Sequence, residues 1–370
     1  MYLKKLQLNN FKNCTSAELD FSEKINCFIG NNGAGKTNIL DSIYYLSFCK
    51  SYFNPIDTQN IKHDEDFFAV HGEYFNQEKT NDRISCIQKR GKKKSFKINK
   101  KEYDRLADHI GLIPLVMISP YDRDLINDGS ELRRKYIDGV ISQFDNSYLK
   151  NILAYNKSLL QRNTLLKQFA EKHFYDADSL NVWDNKLADL GTGIFEKRKV
   201  FLQEFNPLFE SFYKYLSGEN EKVEIEFNSQ LLNADLKELL SQNIERDRML
   251  RYTTQGVHKD DLVFNINGFP VKKFGSQGQQ KSFVIAIKLA QFEYTRKKKG
   301  FKPILLFDDI FDKLDDNRVQ QIIHLVNENN FGQVFITDTQ RKRVENIFLQ
   351  AEIDHKIFDV ENGEVIREQK

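Results

Sequence analysis

The chain has 370 residues, of which 40% are hydrophobic and 29% charged, and its formal net charge is +2. This composition is that of a globular protein of one or two domains, and it excludes an extended low-complexity or membrane-spanning chain. The N-terminus lacks a signal-peptide core, so we expect a cytoplasmic protein with no membrane partner. The nearly neutral charge neither demands nor excludes a nucleic-acid partner.

The N-terminal region is predicted to form a strand, a loop and a helix. Residues 3–11 alternate in strand fashion, and a short apolar run at 25–29 leads into a glycine-rich loop. Apolar residues between 37 and 48 then recur with a helical period. This order of elements is the setting in which phosphate-binding loops occur.

The middle of the chain changes its periodicity twice. Residues 67–105 alternate between apolar and polar with turn residues between, which predicts an antiparallel sheet. Residues 145–215 return to a helical period and indicate two long helices packed as a hairpin, with a break near Pro207.

The C-terminal third returns to an α/β pattern. Its predicted elements are strands at 223–227 and 262–266, a turn at Asn267-Gly268, a helix at 278–298, a buried strand at 304–307, a helix at 318–327 and a buried strand at 334–336. We expect an α/β head built from residues 1–140 and 245–370, with an antiparallel β part at about 65–105, and an inserted helical domain at 141–244.

The glycine-rich loop matches the P-loop pattern G-x-x-x-x-G-K-[ST] at every fixed position. Its residues are Gly30, Asn31, Asn32, Gly33, Ala34, Gly35, Lys36 and Thr37. In such a loop the backbone N–H groups surround the phosphates, the lysine reaches the β and γ oxygens and the threonine hydroxyl ligates Mg²⁺. We therefore expect ATP and Mg²⁺ as cofactors. An ordinary glycine turn is the weaker alternative.

Two carboxylates, Asp308 and Asp309, follow four apolar residues of a predicted buried strand. Ligands of open α/β sheets bind at the carboxyl ends of the strands. We expect Asp308 to hold the Mg²⁺ together with Thr37, and Asp309 to polarise the attacking water. The alternative is a pair of acids that caps a helix or lines a loop.

A third segment, Ser276-Gln277-Gly278, stands immediately before the helix predicted at 278–298. A serine and a glycine at a helix start can bind a γ-phosphate, although a serine there is most often an N-cap. The order of P-loop, serine segment, Asp308-Asp309 and then residues 312–315 resembles the ATP-binding cassette architecture. In that architecture the signature serine of one subunit caps the nucleotide that another subunit holds.

Among cassette proteins, a transporter usually has a histidine after the last core strand, where Thr337-Asp338-Thr339 stands here. An SMC protein would interrupt the cassette with hundreds of heptad residues, for which the chain has no room. The sequence is instead similar to the RecF family of bacterial recombination mediators over nearly its full length. The resemblance rests on residues 6–13, 33–41, 133–138, 256–261 and 267–280.

This resemblance implies an ATP-dependent homodimer that binds DNA at gaps beside double-stranded regions, with slow DNA-dependent ATP hydrolysis. It implies RecR as a partner, with RecO in the same pathway, in the loading of RecA. By position it assigns nucleotide and metal contacts to Lys36, Thr37 and Asp308, hydrolysis to Asp309 and a contact across the dimer to Ser276. The same carry-over places further residues near the nucleotide or the subunit boundary, namely Lys12, Asn13, Asn38 and Asp315.

The sequence departs from the family pattern at a few positions. Val257 and Lys259 replace a proline and an arginine, and Phe53 stands where the family more often has an arginine. The first change is mild if Lys259 only contributes charge, whereas the exchange at Phe53 puts a nucleotide or subunit contact there in doubt.

A basic segment covers residues 89–101 and includes Lys92, Lys93, Lys94 and Lys97. On a hairpin such a run can follow DNA phosphates without reading sequence. The alternative is a solvated edge strand whose lysines discourage aggregation. Arg133 and Arg134 either face DNA or tie the helical insert to the head.

Two other classes of function compete with DNA repair. A nuclease-linked ATPase of phage defence would need an acidic catalytic domain, and too few residues follow Asp338 to build one. A nucleotide-dependent scaffold without hydrolysis stays open because Asp309 stands where transporters have a glutamate.

Overall fold

A computed structural model describes residues 1–75, 81–218, 221–310, 316–327, 331–342, 344 and 354–369. By their contacts these residues form two compact units. The first unit comprises Met1–Asp122, Tyr215–Gly218 and Lys281–Lys370, and the second comprises Arg123–Lys214 and Glu219–Gln280. The second unit thus extends beyond residues 141–244 on both sides, and the independence of that stretch as a domain stays a prediction.

The described strands are β1 (Tyr2–Phe11), β2 (Cys14–Asp20), β3 (Ile25–Ile29), β4 (Phe67–Phe75), β5 (Asn81–Lys89), β6 (Ser95–Ile98), β7 (Lys101–Glu102), β8 (Leu115–Ile118), β9 (Val223–Asn228), β10 (Asp261–Ile266), β11 (Phe269–Pro270), β12 (Ile304–Phe307), β13 (Val334–Asp338), β14 (His355–Glu361) and β15 (Glu364–Gln369). The described helices are α1 (Lys36–Phe48), α2 (Asp124–Asn127), α3 (Ser130–Ser142), α4 (Asn146–Lys172), α5 (Ala177–Ser217), α6 (Leu236–Gln242), α7 (Ile244–Leu250), α8 (Val271–Phe274), α9 (Gln277–Lys299) and α10 (Asp316–Asn327).

The mixed sheet of the first unit has the strand order β15-β14-β3-β13-β12-β8. Its strands run parallel from β14 to β8, and β15 pairs antiparallel with β14. Every residue of β3, β8, β12 and β13 is buried. The short apolar runs predict this burial for β12 and β13. Because these strands are parallel, their carboxyl ends meet at one edge of the sheet.

The second sheet of the first unit is antiparallel, with the order β2-β1-β4-β5-β6-β7. The prediction for residues 67–105 is confirmed, and the N-terminal strands β1 and β2 extend the same sheet. Residues of both sheets share one core cluster, to which α1 contributes Ile39, Leu40, Ile43 and Leu46. Burial of this apolar face holds the helix that follows the P-loop.

The second unit contains the predicted helical hairpin, formed by α4 and α5. The expected break near Pro207 is wrong, because α5 continues through that residue. Proline removes one helical N–H, and the carbonyl left without that donor belongs to Gln203, which lies on the exposed side of the helix. No described helix is long and apolar enough to cross a membrane.

Buried ion pairs tie the elements of the second unit together. Arg162 of α4 is fully buried and donates to Asp184 of α5 (2.5 Å) and to Asp247 of α7 (2.6 Å). Arg198 of α5 donates to Asp260, just before β10, at 2.6 Å. A three-stranded sheet, β11-β10-β9, completes this unit, and its hairpin turns at Asn267-Gly268 as predicted.

Candidate nucleotide-binding site

The P-loop connects the end of β3 to the start of α1, and its glycines have structural reasons. A Cβ atom at Gly30 would lie 2.2 Å from the Val360 carbonyl oxygen. Gly33 and Gly35 have φ angles of +82° and +110°, which strain any residue with a side chain. The Gly363 N–H donates to the Ala34 carbonyl at 2.7 Å. The turn between β14 and β15 therefore supports the loop from behind.

Lys36 and Thr37 face two different groups at the start of α1. The Lys36 ammonium donates to the carbonyl oxygens of Gly30 (2.7 Å) and Asn31 (3.0 Å), so the loop curls around this charge. The Thr37 hydroxyl donates to Asp308 Oδ1 at 2.8 Å. The structure thus joins the P-loop to the acidic strand end 271 residues further along the chain.

Asp308 and Asp309 follow β12 at the carboxyl edge of the mixed sheet. Asp308 is 2% exposed, and it also accepts a hydrogen bond from the Thr337 hydroxyl at 3.1 Å. Burial raises the pKa of Asp308, and the two hydroxyl donors oppose that rise. The Asp309 N–H donates to Thr337 Oγ1 at 2.8 Å, with a left-handed φ of 48°.

These groups fit a magnesium ion. Mg²⁺ prefers oxygen donors, and the Thr37 hydroxyl and the Asp308 carboxylate already lie within hydrogen-bonding distance of each other. The neighbouring charge of Asp309 also disfavours ionisation of the buried Asp308, and a divalent cation would relieve that repulsion.

Lys12 and Asn13 approach the P-loop helix from the turn between β1 and β2. The Asn38 amide donates to Asn13 Oδ1 at 2.7 Å, which places Asn13 against the loop. Lys12 instead binds Asp41 of α1, with its ammonium 2.7 Å from Oδ2. Asp41 was not predicted as a functional residue from the sequence. The available signal was a carboxylate on the apolar face of a predicted helix, where a partner is required.

The Ser276-Gln277-Gly278 segment lies in the second unit, where Ser276 and Gln277 are exposed and Gly278 is half-buried. The Ser276 N–H donates to Gln279 Oε1 (2.7 Å), and the Gln279 N–H donates to Ser276 Oγ (3.2 Å). This is a capping box. Gln279 in turn donates to Glu221 at 2.6 Å. Ser276 is thus a helix cap, and its contact across a dimer stays a prediction.

The lysines of the basic segment differ in their exposure to solvent. Lys92 and Lys93 are exposed in the turn between β5 and β6, and Lys97 of β6 is half-buried. The prediction that Lys94 contacts DNA is corrected here. The Lys94 ammonium lies 2.7 Å from Asp57, and its side chain is only 10% exposed. A buried ammonium that is paired with a carboxylate is not available to a phosphate, so Lys94 leaves the candidate DNA set.

Arg133 and Arg134 bind partners inside the second unit. Arg133 donates twice to the Asp261 carboxylate, at 2.7 and 3.0 Å. Arg134 donates to the Asp260 carbonyl at 2.7 Å. Both arginines therefore hold the start of β10 beside α3. Asp315, which the family resemblance places near a subunit boundary, lies outside the described residues.

A P-loop beside an Asp-Asp strand end, an antiparallel sheet and a helical hairpin define an ATPase head of the ATP-binding cassette class. Residues 2–364 match the family described as the RecF/RecN/SMC N terminal domain. DNA replication and repair protein RecF of Flavobacterium johnsoniae is 53% identical over 360 residues, which are 97% of this chain and 100% of the relative. That of Phocaeicola vulgatus is 50% identical over 366 residues, 99% of this chain and 98% of the relative. The chain belongs to the RecF family.

Solved structures agree with this assignment. The recombination mediator protein RecF with ATP, of the RecFOR pathway, is 30% identical with a TM-score of 0.90, over 100% of this chain and 98% of that one. An Smc head bound to a domain of ScpA is 16% identical with a TM-score of 0.57, over 98% of this chain and 94% of that one. The Smc likeness shows the fold alone, and it matches the expected cassette head.

Proposed function

We propose that the chain is an ATP-dependent DNA-binding protein of recombinational repair that dimerises when it holds ATP and Mg²⁺. The observation that carries this proposal is the hydrogen bond between Thr37 and the buried Asp308, which joins the P-loop to the acidic strand end. The RecF relatives, and the RecF structure with ATP, support the same conclusion.

In this proposal each residue of the site has one task. The P-loop backbone and Lys36 bind the phosphates, and Thr37 with Asp308 would hold the Mg²⁺. The cation would neutralise charge on the β and γ phosphates. Asp309 follows Asp308 and orients the attacking water for a slow hydrolysis. Gating by nucleotide state needs no fast turnover.

The site is proposed to be half of an active centre. Ser276 is exposed at the start of α9, so its hydroxyl is accessible to a nucleotide held by a second copy. Gapped DNA is the proposed substrate, with RecR as a direct partner and RecO and RecA in the pathway. The solved RecF structures belong to the RecFOR pathway, which supports RecR and RecO as partners.

Sedimentation with and without ATP, each with a gapped duplex, tests the proposal. Wild type is expected to form a dimer with ATP. Ser276→Arg is expected to bind ATP but to stay monomeric. The long, positively charged arginine side chain would block the approach of the second copy. A matched control is Ser130→Arg, at the start of α3. An oligomeric state that neither ATP nor Ser276→Arg alters would exclude the sandwich dimer.

A further inference from the structure

Asp41 is the first member of a buried polar chain in the first unit. It lies on α1 four residues after Thr37, so both side chains share one side of the helix. Asp41 is fully buried, and its two oxygens accept from the Tyr52 N–H (2.7 Å) and the Ser51 hydroxyl (2.6 Å). The P-loop helix is thus bonded to the segment that follows it.

Tyr52 continues this chain to Asp122. Its hydroxyl donates to Asp122 Oδ1, and the other carboxylate oxygen accepts from the Ser119 N–H at 2.7 Å. Asp122 is 4% exposed and closes the loop after β8. The carboxylate therefore receives donors from two separate segments.

Lys288 of α9 is the last member. Its ammonium lies 2.7 Å from Asp122 Oδ1 and 3.2 Å from the Tyr52 hydroxyl, with side-chain exposures of 6% for Lys288 and 3% for Asp122. The neighbouring residues of α9 from Phe283 to Ala290 are otherwise apolar and buried. An ion pair in such surroundings often stabilises a protein no more than apolar side chains of the same volume. Stability alone therefore does not account for it.

The position of this polar chain suggests its role. α9 begins directly after Ser276, and Lys288 lies about 18 Å further along the helix axis at 1.5 Å per residue. At the other end, Asp41 is on the helix that carries Lys36 and Thr37. A helix moves as a rigid element, so a shift of α1 at its phosphate-binding end changes the geometry at Tyr52 and Asp122.

We propose that Tyr52 and Asp122 are positioning residues, which transmit the nucleotide state of α1 to α9 through Lys288. This inference rests on the proposed function, since it concerns ATP-dependent placement of the helix that Ser276 caps. We call the hydrogen-bonded chain from Asp41 through Tyr52 and Asp122 to Lys288 the relay. Removal of one of its hydrogen bonds uncouples α9 from ATP, while α1 and α9 both stay folded.

Hydrogen–deuterium exchange of the full-length chain with and without Mg-ATP tests the relay, read from peptides of residues 281–292. In wild type, ATP is expected to slow exchange there by about fivefold, a usual size for coupling between sites. Tyr52→Phe removes only the hydroxyl. It is expected to bind ATP within about twofold of wild type and to abolish most of this slowing. Asp122→Asn should do the same.

Tyr44→Phe is the matched control, because it also removes one hydroxyl, from a ring that lies 4.9 Å from the Tyr52 ring. It should respond to ATP like wild type. Equal slowing in Tyr52→Phe and wild type would overturn the relay, as would wild type that binds ATP and dimerises with no change in α9. Wild type that fails to bind ATP would overturn the proposed function as well, so the two failures are distinguishable.

Discussion

At the level of single residues, Asp308 and Asp309 are adjacent in sequence but differ in environment. Asp308 is buried and accepts hydrogen bonds from the hydroxyls of Thr37 and Thr337. Asp309 is half-buried, and its backbone N–H donates to the Thr337 hydroxyl oxygen. A buried carboxylate with hydroxyl donors is suited to a cation, and a more accessible one to water. The two proposed roles follow from this difference.

Asp309→Asn tests that division. The change keeps the size of the side chain and removes its charge, so ATP affinity should stay within about twofold while single-turnover cleavage falls by about 100-fold, the usual contribution of a general base. Rapid quench with radiolabelled ATP measures the cleavage. Asp189→Asn, at an exposed position of α5 in the second unit, is the control. Equal cleavage by wild type and Asp309→Asn would contradict the catalytic role of Asp309. An absence of cleavage in both proteins would favour the scaffold without hydrolysis.

At the level of elements, the β5–β6 hairpin separates basic residues of two kinds. The turn carries Lys92 and Lys93 into solvent, whereas Lys94 turns inward to Asp57 and to the Tyr45 hydroxyl, 2.9 Å away. Neighbouring lysines in one run thus have different environments. The first kind is suited to phosphates and the second to holding α1 against the sheet.

Lys92→Ala with Lys93→Ala should weaken binding to a gapped duplex and lower the salt slope of the affinity by about 2, because each lysine would neutralise about one phosphate. Fluorescence anisotropy across a series of salt concentrations measures both quantities. The control removes two exposed lysines from outside the segment, Lys4→Ala with Lys297→Ala. An unchanged salt slope in the first double variant would identify the segment as a solvated edge.

At the level of the whole molecule, one fully buried and one half-buried histidine make the fold sensitive to acid. His109 in the first unit has its Nε2 2.6 Å from the Leu46 carbonyl, and burial lowers its pKa to about 4. His258 in the second unit hydrogen-bonds to Tyr155, and burial lowers its pKa to about 4 as well. The unfolded chain protonates both near pH 6.5, so each unit contains at least one histidine that resists protonation in the native state.

The sign of the pH dependence follows from these values. Between pH 6.5 and 4 the unfolded state binds protons that the native state excludes, so stability is complete above pH 6.5 and falls with pH. For His109 the loss at pH 5 is about 2 kcal/mol. Urea unfolding at pH 7 and pH 5, followed by far-ultraviolet circular dichroism, should show a smaller pH effect in His109→Gln than in wild type. An equal effect in both proteins would contradict the assignment.

The nucleotide chemistry and the order of the elements can be predicted from the sequence alone. A P-loop is one contiguous segment, and its glycines are required by the local backbone conformation. The helical and strand periods are also local, because they depend only on the spacing of apolar residues along the chain. For this reason β12, α9 and the turn at Asn267-Gly268 were predicted within a residue or two.

The partner of each buried charge, in contrast, is known only from the folded chain. Asp41 pairs with Lys12, Lys94 with Asp57, and Lys288 with Asp122, across separations that no local pattern encodes. The same run of lysines holds both solvated and buried members. Burying a charge requires a partner, but the partner is chosen by the packing of distant segments.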